Sequence, residues 1–240
     1  MSSFTFTPTP EEDRFWRLFE AMRADVAAAV KSNLIYLTIH NVRASALDIQ
    51  EKLGTFPEFW TTVMFSLQTT FFVSLGRLFD RDSNALSVKK LLETTINTPT
   101  IFSKNALRRR KRFDCRIQGD DPQWLCDYIN NAWEPARADL DELLKALEPH
   151  SAKFKQIYKP IRDRIYAHRS KEDETEVYAL FGKTSIGDIE GILRFLHTLL
   201  WALRELALDG RKPDLGDFRD YGGYIAGLRT EAENFLRRLV

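Results

Sequence analysis

The stretch SIGDIEGILRFLHTLLWALRELALDG, residues 185–210, decides the fold. Ser185 with Asp188 three positions on is a helix N-cap pattern, in which a hydroxyl satisfies a first-turn N–H that has no helical partner. Ile186, Ile189, Leu193, Leu196, Leu200 and Leu203 follow at steps of three or four, which puts them on one face of a helix of about 3.6 residues per turn. Gly210 ends the run, because glycine takes the left-handed conformation past a helix end without steric cost.

The same periodicity covers nearly all of the chain. Glu11, Glu12 and Asp13 follow Pro10 and fill a first turn with the charge that suits a helix N-terminus. Phe15, Leu18, Phe19, Met22 and Val26 then form a stripe, and the pattern resumes at Leu34 and stops at Gly54. Thr55 and Pro57 open a long helix. Its Phe59, Trp60, Val63, Leu67, Phe71, Leu75, Leu78 and Phe79 predict a continuous buried face. Ser87 caps a short helix over 88–96, NALRRRKRF (105–113) reads as a short basic helix, and QGDDP (118–122) as a turn.

Further helices are expected around Trp124 to Ile129 and from Glu134 to Leu147, where Pro149 interrupts. Helix returns from Phe154 to Tyr166, with Pro160 as a kink or restart. SKEDETE (170–176) is a polar loop. RKPDLGDFRDYGG (211–223) is a linker into a final helix over about 221–239. No stretch reads as a strand, and there is no repeat at a fixed period. The expectation is an all-α fold: one domain over 1–240, a bundle of long helices with additional short ones, its core at about 10–208.

The bulk numbers exclude several classes. At 240 residues, 44% hydrophobic and 29% charged, the chain can bury a sizeable core and is not a disordered polymer. Basic residues number 35 and acidic ones 34, a net charge of +1. No global field therefore draws it to a polyanion, and any such attraction must be local. Cys115 and Cys126 give neither a disulfide framework nor a zinc spacing, and they fit a reducing compartment. The N-terminal segment lacks signal-peptide features, and no apolar run approaches the roughly 18 residues of a membrane span. A cytoplasmic protein with no cofactor, no metal and no membrane partner is expected.

Chemistry concentrates in PIRDRIYAHRS, residues 160–170. Histidine exchanges a proton near neutral pH, and arginine holds a phosphate and stabilises charge developing on it. Together they suffice for RNA cleavage without a metal, in which the 2′-hydroxyl attacks the adjacent phosphate. On a regular helix Arg164 and His168 share a face, while Arg162 and His168 lie about a third of a turn apart. The same residues also read as a solvated helix face with i,i+4 ion pairs.

RDRIYAH, with five residues between Arg162 and His168 and Asp163 in the polar position, resembles the signature of the HEPN superfamily (higher eukaryotes and prokaryotes nucleotide-binding). SLGRLFDRDSNALSVKKLLE, residues 74–93, resembles the second-helix region of its abortive-infection AbiU-like branch. The resemblance spans about Phe15 to Leu208. It implies a helical bundle that dimerises, with two motif helices building one composite cleft. It also implies a metal-independent endoribonuclease of a toxin–antitoxin or phage-defence system, whose product ends in a 2′,3′-cyclic phosphate. The alternative it carries is a catalytically inactive module that binds RNA, a nucleotide or a protein.

Carried onto this chain, Arg162 contacts the scissile phosphate, His168 is the general acid or base, and Asp163 orients the arginine or a neighbouring proton. Asp163 stands where many active members have asparagine. An acid there lowers the local potential, which Arg164 offsets on this reading. Implied partners are RNA, a second copy of the chain, and a cognate antitoxin or defence-system protein.

Other candidates carry two readings each. Arg108, Arg109, Arg110, Lys111 and Arg112 form the one dense basic run, with Phe113 and Trp124 nearby for base stacking. Such a run also reads as a solvated face. Arg164 and Arg169 extend the RNA-contact set. Arg77, Asp80 and Tyr166 are placed as supports around the motif, although Arg77, Asp80 and Arg81 equally make a helix-end ion pair. His197 sits in an apolar stretch and reads as a packed histidine. His40 and His150 have no partners at metal-ligand spacing.

Overall fold

The computed structural model describes residues 7–82, 84–167, 174–216 and 219–239, and every regular element among them is helical. Helix α1 spans Pro10–Ser45. The Glu12 N–H donates to Thr9 Oγ1 at 3.2 Å, and the Thr9 N–H donates to the Glu12 carboxylate at 2.9 Å. This reciprocal pair satisfies two first-turn donors. The helix does not pause before Leu34, because Ala27, Ala28 and Ala29 propagate it at no side-chain entropy cost. It breaks instead at Ala46, which is extended, and α2 (Leu47–Gly54) follows.

Helix α3 covers Pro57–Leu78. Its buried face is half as long as its apolar stripe. Phe71, Phe72, Leu75 and Leu78 are buried, whereas Phe59 is 61% exposed. Trp60, Val63 and Leu67 are only partly covered, by a small second cluster of Ile39, Val42, Ile49, Leu53 and Leu236. The main core ends before the first half of α3, so the stripe outruns the helices available to cover it.

Ser87 caps α4 (Val88–Asn97), accepting from the Lys90 N–H at 3.3 Å. A tight turn at Pro99–Phe102 leads to α5 (Lys104–Asp114) and α6 (Gln123–Asn131). Helix α7 spans Arg137–Lys153 and passes through Pro149 without ending there. A proline inside a helix costs about 3 kcal/mol. Leu140, Leu143, Leu147, Phe154, Tyr158 and Ile161 are all buried on the line that continues past it. Each contributes roughly 1.5–3 kcal/mol of burial, so packing outweighs the missing hydrogen bond.

Beyond α7 the helix widens. Phe154–Tyr158 form a π turn in which the Lys159 N–H bonds to the Phe154 carbonyl five residues back. Pro160 stands second in the three-residue α8 (Lys159–Ile161), and the helix neither stops nor restarts there, since Tyr158, Lys159 and Arg162 keep helical angles. A second π turn takes Arg162–Ala167. After it come α9 (Glu174–Phe181), α10 (Ile186–Asp209) and α11 (Arg219–Arg237).

Helix α10 forms as its stripe predicts. Ser185 Oγ accepts from the Asp188 N–H at 3.4 Å, and Gly210 takes φ +61°. Glycine is required there twice over. A Cβ on Gly210 would lie 2.7 Å from Ala132 Cβ and 2.7 Å from Leu107 Cδ2, while its carbonyl accepts the Trp133 N–H at 2.7 Å. The main core joins Phe15, Phe19 and Met22 of α1 to Leu75 and Leu78 of α3, Leu91 and Leu92 of α4, Leu140 of α7 and Leu196 and Leu203 of α10.

Candidate active site

The motif lies on the second π turn, where the helix is wider by one residue per hydrogen-bonded ring. His168 and Arg169 lie outside the described residues. Arg162, Asp163, Arg164 and Tyr166 are described.

Arg162 is seated against α3. A Cβ built on Gly76 would stand 2.6 Å from Arg162 Nε, 3.0 Å from Cδ and 3.1 Å from Cζ. The guanidinium stem thus lies directly on the backbone of a helix whose facing residue has no side chain. Arg162 Nε is buried there with no hydrogen-bond partner among the described residues. Nη1 donates to Asp163 Oδ1 at 2.9 Å. The guanidinium is held from one side by packing and from the other by an acid, which fixes the direction of its planar fork.

Asp163 also accepts a hydrogen bond from Lys159 Nζ, one turn earlier. Burial alone would raise its carboxyl, but the Lys159 bond and charge and then Arg162 outweigh that and hold it below its ordinary value. Asp163 is thus an anion at neutral pH, answered by two cations. Lys159 and Arg162 both bond to this one carboxylate. The charge of Asp163 is offset by Lys159 and Arg162.

Tyr166 stacks on Phe72, with centroids 4.8 Å apart and planes 12° apart, and leans on Phe65 at 5.8 Å. Burial, and then Tyr36, push its phenol far above the ordinary value, so it stays protonated. Phe65, Phe72 and Gly76 form one stripe of α3, and the motif turn covers its Phe72–Gly76 end while Phe65 stays largely exposed. Beside the Tyr166–Phe72 stack is a cavity of about 350 Å³ lined by Asn33, Tyr36, His40, Gln68 and Phe181 among others.

The other candidates go elsewhere. Arg77 reaches α1, where its Nε donates to Asp25 Oδ1 at 3.0 Å. Asp80 accepts the Asp82 N–H at 3.0 Å, and Arg81 donates to Ser151 at 3.5 Å. These bonds tie the end of α3 to α1 and α7.

All five cations of the basic run meet carboxylates of this chain. Arg108 lies 3.2 Å from Asp121, and Arg112 pairs with the same acid. Arg109 and Arg110 pair with Glu12 at 2.9 and 2.7 Å, and Lys111 with Asp209 at 2.7 Å. Arg110 is buried and also donates to the Ile101 carbonyl at 2.9 Å. The run therefore clamps α5 to the start of α1, to the turn before α6 and to the end of α10. His150 stacks on Phe195 at 4.1 Å and His197 on Tyr224 at 5.6 Å.

Two residues of the site escaped the sequence reading. Gly76 had a signal, a lone glycine inside an apolar helix, which marks a close approach of something else. Lys159 stood four residues before Asp163, the spacing of a helical ion pair.

The chain is thus an all-helical bundle with an arginine-bearing turn laid across its third helix. The chain matches the family model HEPN_AbiU2, described as AbiU2, over residues 12–225. It belongs to the AbiU2 family, which links it to abortive infection. No curated protein and no solved structure matches it.

Proposed function

We propose that the protein is a metal-independent endoribonuclease of a toxin–antitoxin or phage-defence system, acting as a homodimer on RNA. His168 takes the proton from a ribose 2′-hydroxyl. The oxygen attacks the adjacent phosphorus, the bond to the 5′-oxygen breaks, and that oxygen leaves with a proton from a second acid. The product strand ends in a 2′,3′-cyclic phosphate. Each copy brings one such histidine, so a composite cleft supplies both the base and the acid. Arg162 neutralises charge on the non-bridging oxygens, an interaction worth about 10²–10³ in rate at sites of this type. Arg164 and Arg169 grip neighbouring phosphates.

The observation that carries this reading is the seating of Arg162. A guanidinium packed on Gly76 and tethered by Asp163 is oriented before any ligand arrives, which is how a site stabilises developing charge without reorganising. The cavity beside Tyr166 offers room for a base flanking the scissile phosphate. Phe59 and Phe65, exposed on α3, offer an apolar face for the second copy, next to the motif. The basic run acts as a structural clamp in this reading, and the chain works as one domain.

The test is cleavage of end-labelled total RNA by wild-type protein and by His168→Ala, with and without EDTA. Chelator-resistant cleavage, absent in the variant and ending in cyclic phosphate, is expected. Intact RNA with purified wild-type protein, free of any antitoxin, contradicts the nuclease reading and leaves a binding module.

A further inference from the structure

The cavity beside the Tyr166–Phe72 stack has a wall chemistry of its own. Helix α1 supplies one side, α3 the second, and the end of α9 with the start of α10 the third, around about 350 Å³. Phe71, Phe72 and Phe181 form its apolar side. Phe71 and Phe72 are buried, and Phe72 meets Phe181 edge to face with centroids 6.3 Å apart. Among the described residues no lysine, arginine or carboxylate lines the cavity. His40 does, but burial, and then Arg43, hold its imidazole below the ordinary value, so it is neutral at pH 7.

Most polar groups on the wall already have partners. Ser32 Oγ donates to the Ala28 carbonyl, Thr184 Oγ1 to the Phe181 carbonyl at 2.7 Å, and Gln68 Nε2 to the Tyr36 hydroxyl at 2.9 Å. Asn33 is the exception. It is 9% exposed, on the α1 stripe between buried Val30 and Leu34, and it lines the cavity. Its carboxamide makes no hydrogen bond among the described residues. A buried amide left without a partner opposes folding, so its place in an apolar stripe calls for another explanation. A group that pairs with it fully must offer both a donor and an acceptor.

We infer that this cavity binds a small uncharged aromatic molecule bearing a carboxamide, its ring against Phe71, Phe72 and Phe181 and its amide paired with Asn33. Two carboxamides join through matched N–H···O bonds, one in each direction. A charged group finds no counter-charge here, and taking it out of water unpaired is costly. Apolar walls with a few neutral polar groups, around a volume of this size, suit a small molecule. On the reading proposed above such a molecule would compete with the flanking base. The binding itself does not rest on that reading, because none of Arg162, Asp163, Arg164 and Tyr166 lines the cavity.

The test is calorimetric titration with 2-naphthamide and with 2-naphthoate, which has the same outline and carries a negative charge. The amide is expected to bind, and the carboxylate to bind at least about tenfold more weakly. Asn33→Leu keeps the volume and removes the polar partner. It should weaken the amide about tenfold, with a thermal midpoint equal to wild type or higher. Asn33 also borders a neighbouring groove between α1, α10 and α11, whereas Leu67 lines this cavity and not that groove. Leu67→Trp, which fills the cavity, should therefore abolish binding of the amide. Where Leu67→Trp lowers the thermal midpoint, Asn33→Leu decides. The inference is overturned if the amide does not bind, if the carboxylate binds as tightly, or if Asn33→Leu or a folded Leu67→Trp binds the amide as wild type does.

Discussion

Two arginine-rich stretches of this chain resemble each other in composition and differ in what surrounds them. The run Arg108–Arg112 is the denser, yet each of its cations meets a carboxylate from outside its own helix, Asp121 just beyond it or Glu12 and Asp209 far away in the chain. Among the described residues Arg162 pairs with one acid, Asp163, and that acid is itself answered by Lys159. The charge of the run is largely cancelled by acids of its own chain, while Arg162 is held by packing on Gly76 and by its sequence neighbour Asp163. Charge density along a sequence does not measure charge available to a ligand. What decides is where the fold brings the acids.

The sharpest way to separate the two regions is Glu12→Ala. Glu12 is buried and pairs with Arg109 and with buried Arg110, and it closes the reciprocal cap of α1. Removing one partner of a buried pair typically costs about 3–5 kcal/mol. Chemical denaturation should show a loss of that order. A loss below about 1 kcal/mol would mean that the run does not clamp the fold.

Next in size is Gly76→Ala. The new methyl would meet Arg162 Nε at 2.6 Å, and the flexible arginine gives way rather than the helix. Alanine also favours a helix interior over glycine by roughly 0.5–1 kcal/mol, so stability should hold or rise. Cleavage should fall by about 10–100-fold, as expected for a group misplaced by an ångström or so. An unchanged rate would show that the seat on α3 does not position Arg162.

Much of the fold was legible because it rests on local rules. The caps at Ser87 and Ser185, the stop at Gly210 and the stripe of α10 follow from spacing alone. The passage of α7 through Pro149 was not, since it depends on buried side chains whose partners lie elsewhere in the chain. The π turns were equally hidden, because a period of 3.6 is assumed whenever a stripe is read. At the candidate site, Arg162 and Asp163 were singled out by their motif, and the structure sets them beside each other. The fate of the basic run was not readable, for Glu12 and Arg110 are 98 residues apart. No window of sequence shows that pairing.

A smaller effect tests the electrostatics of the motif. Asp163 titrates below its ordinary value because Lys159 and Arg162 favour its charged form over the effect of burial. Its pairing therefore stabilises the fold above the unfolded carboxyl pKa and is lost as pH falls through the lower folded value. In Lys159→Ala the Asp163 carboxyl, followed by NMR titration, should move upward toward or past 3.8. No movement would mean that Lys159 is not its main partner. The smallest change expected is in Arg109→Ala. That arginine is about half exposed and leaves Glu12 still paired with Arg110. Stability should drop by no more than about 1 kcal/mol.

The most direct measurement sets the two stretches against each other in one assay. Single-turnover cleavage of one labelled RNA would be followed for wild type, for Arg162→Ala and for the double variant Arg108→Ala/Arg109→Ala, each checked for its thermal midpoint. A loss of about 100-fold or more in Arg162→Ala, with the double variant within about threefold of wild type, is the result predicted here. The reverse pattern, with the run essential and Arg162 dispensable, would contradict it.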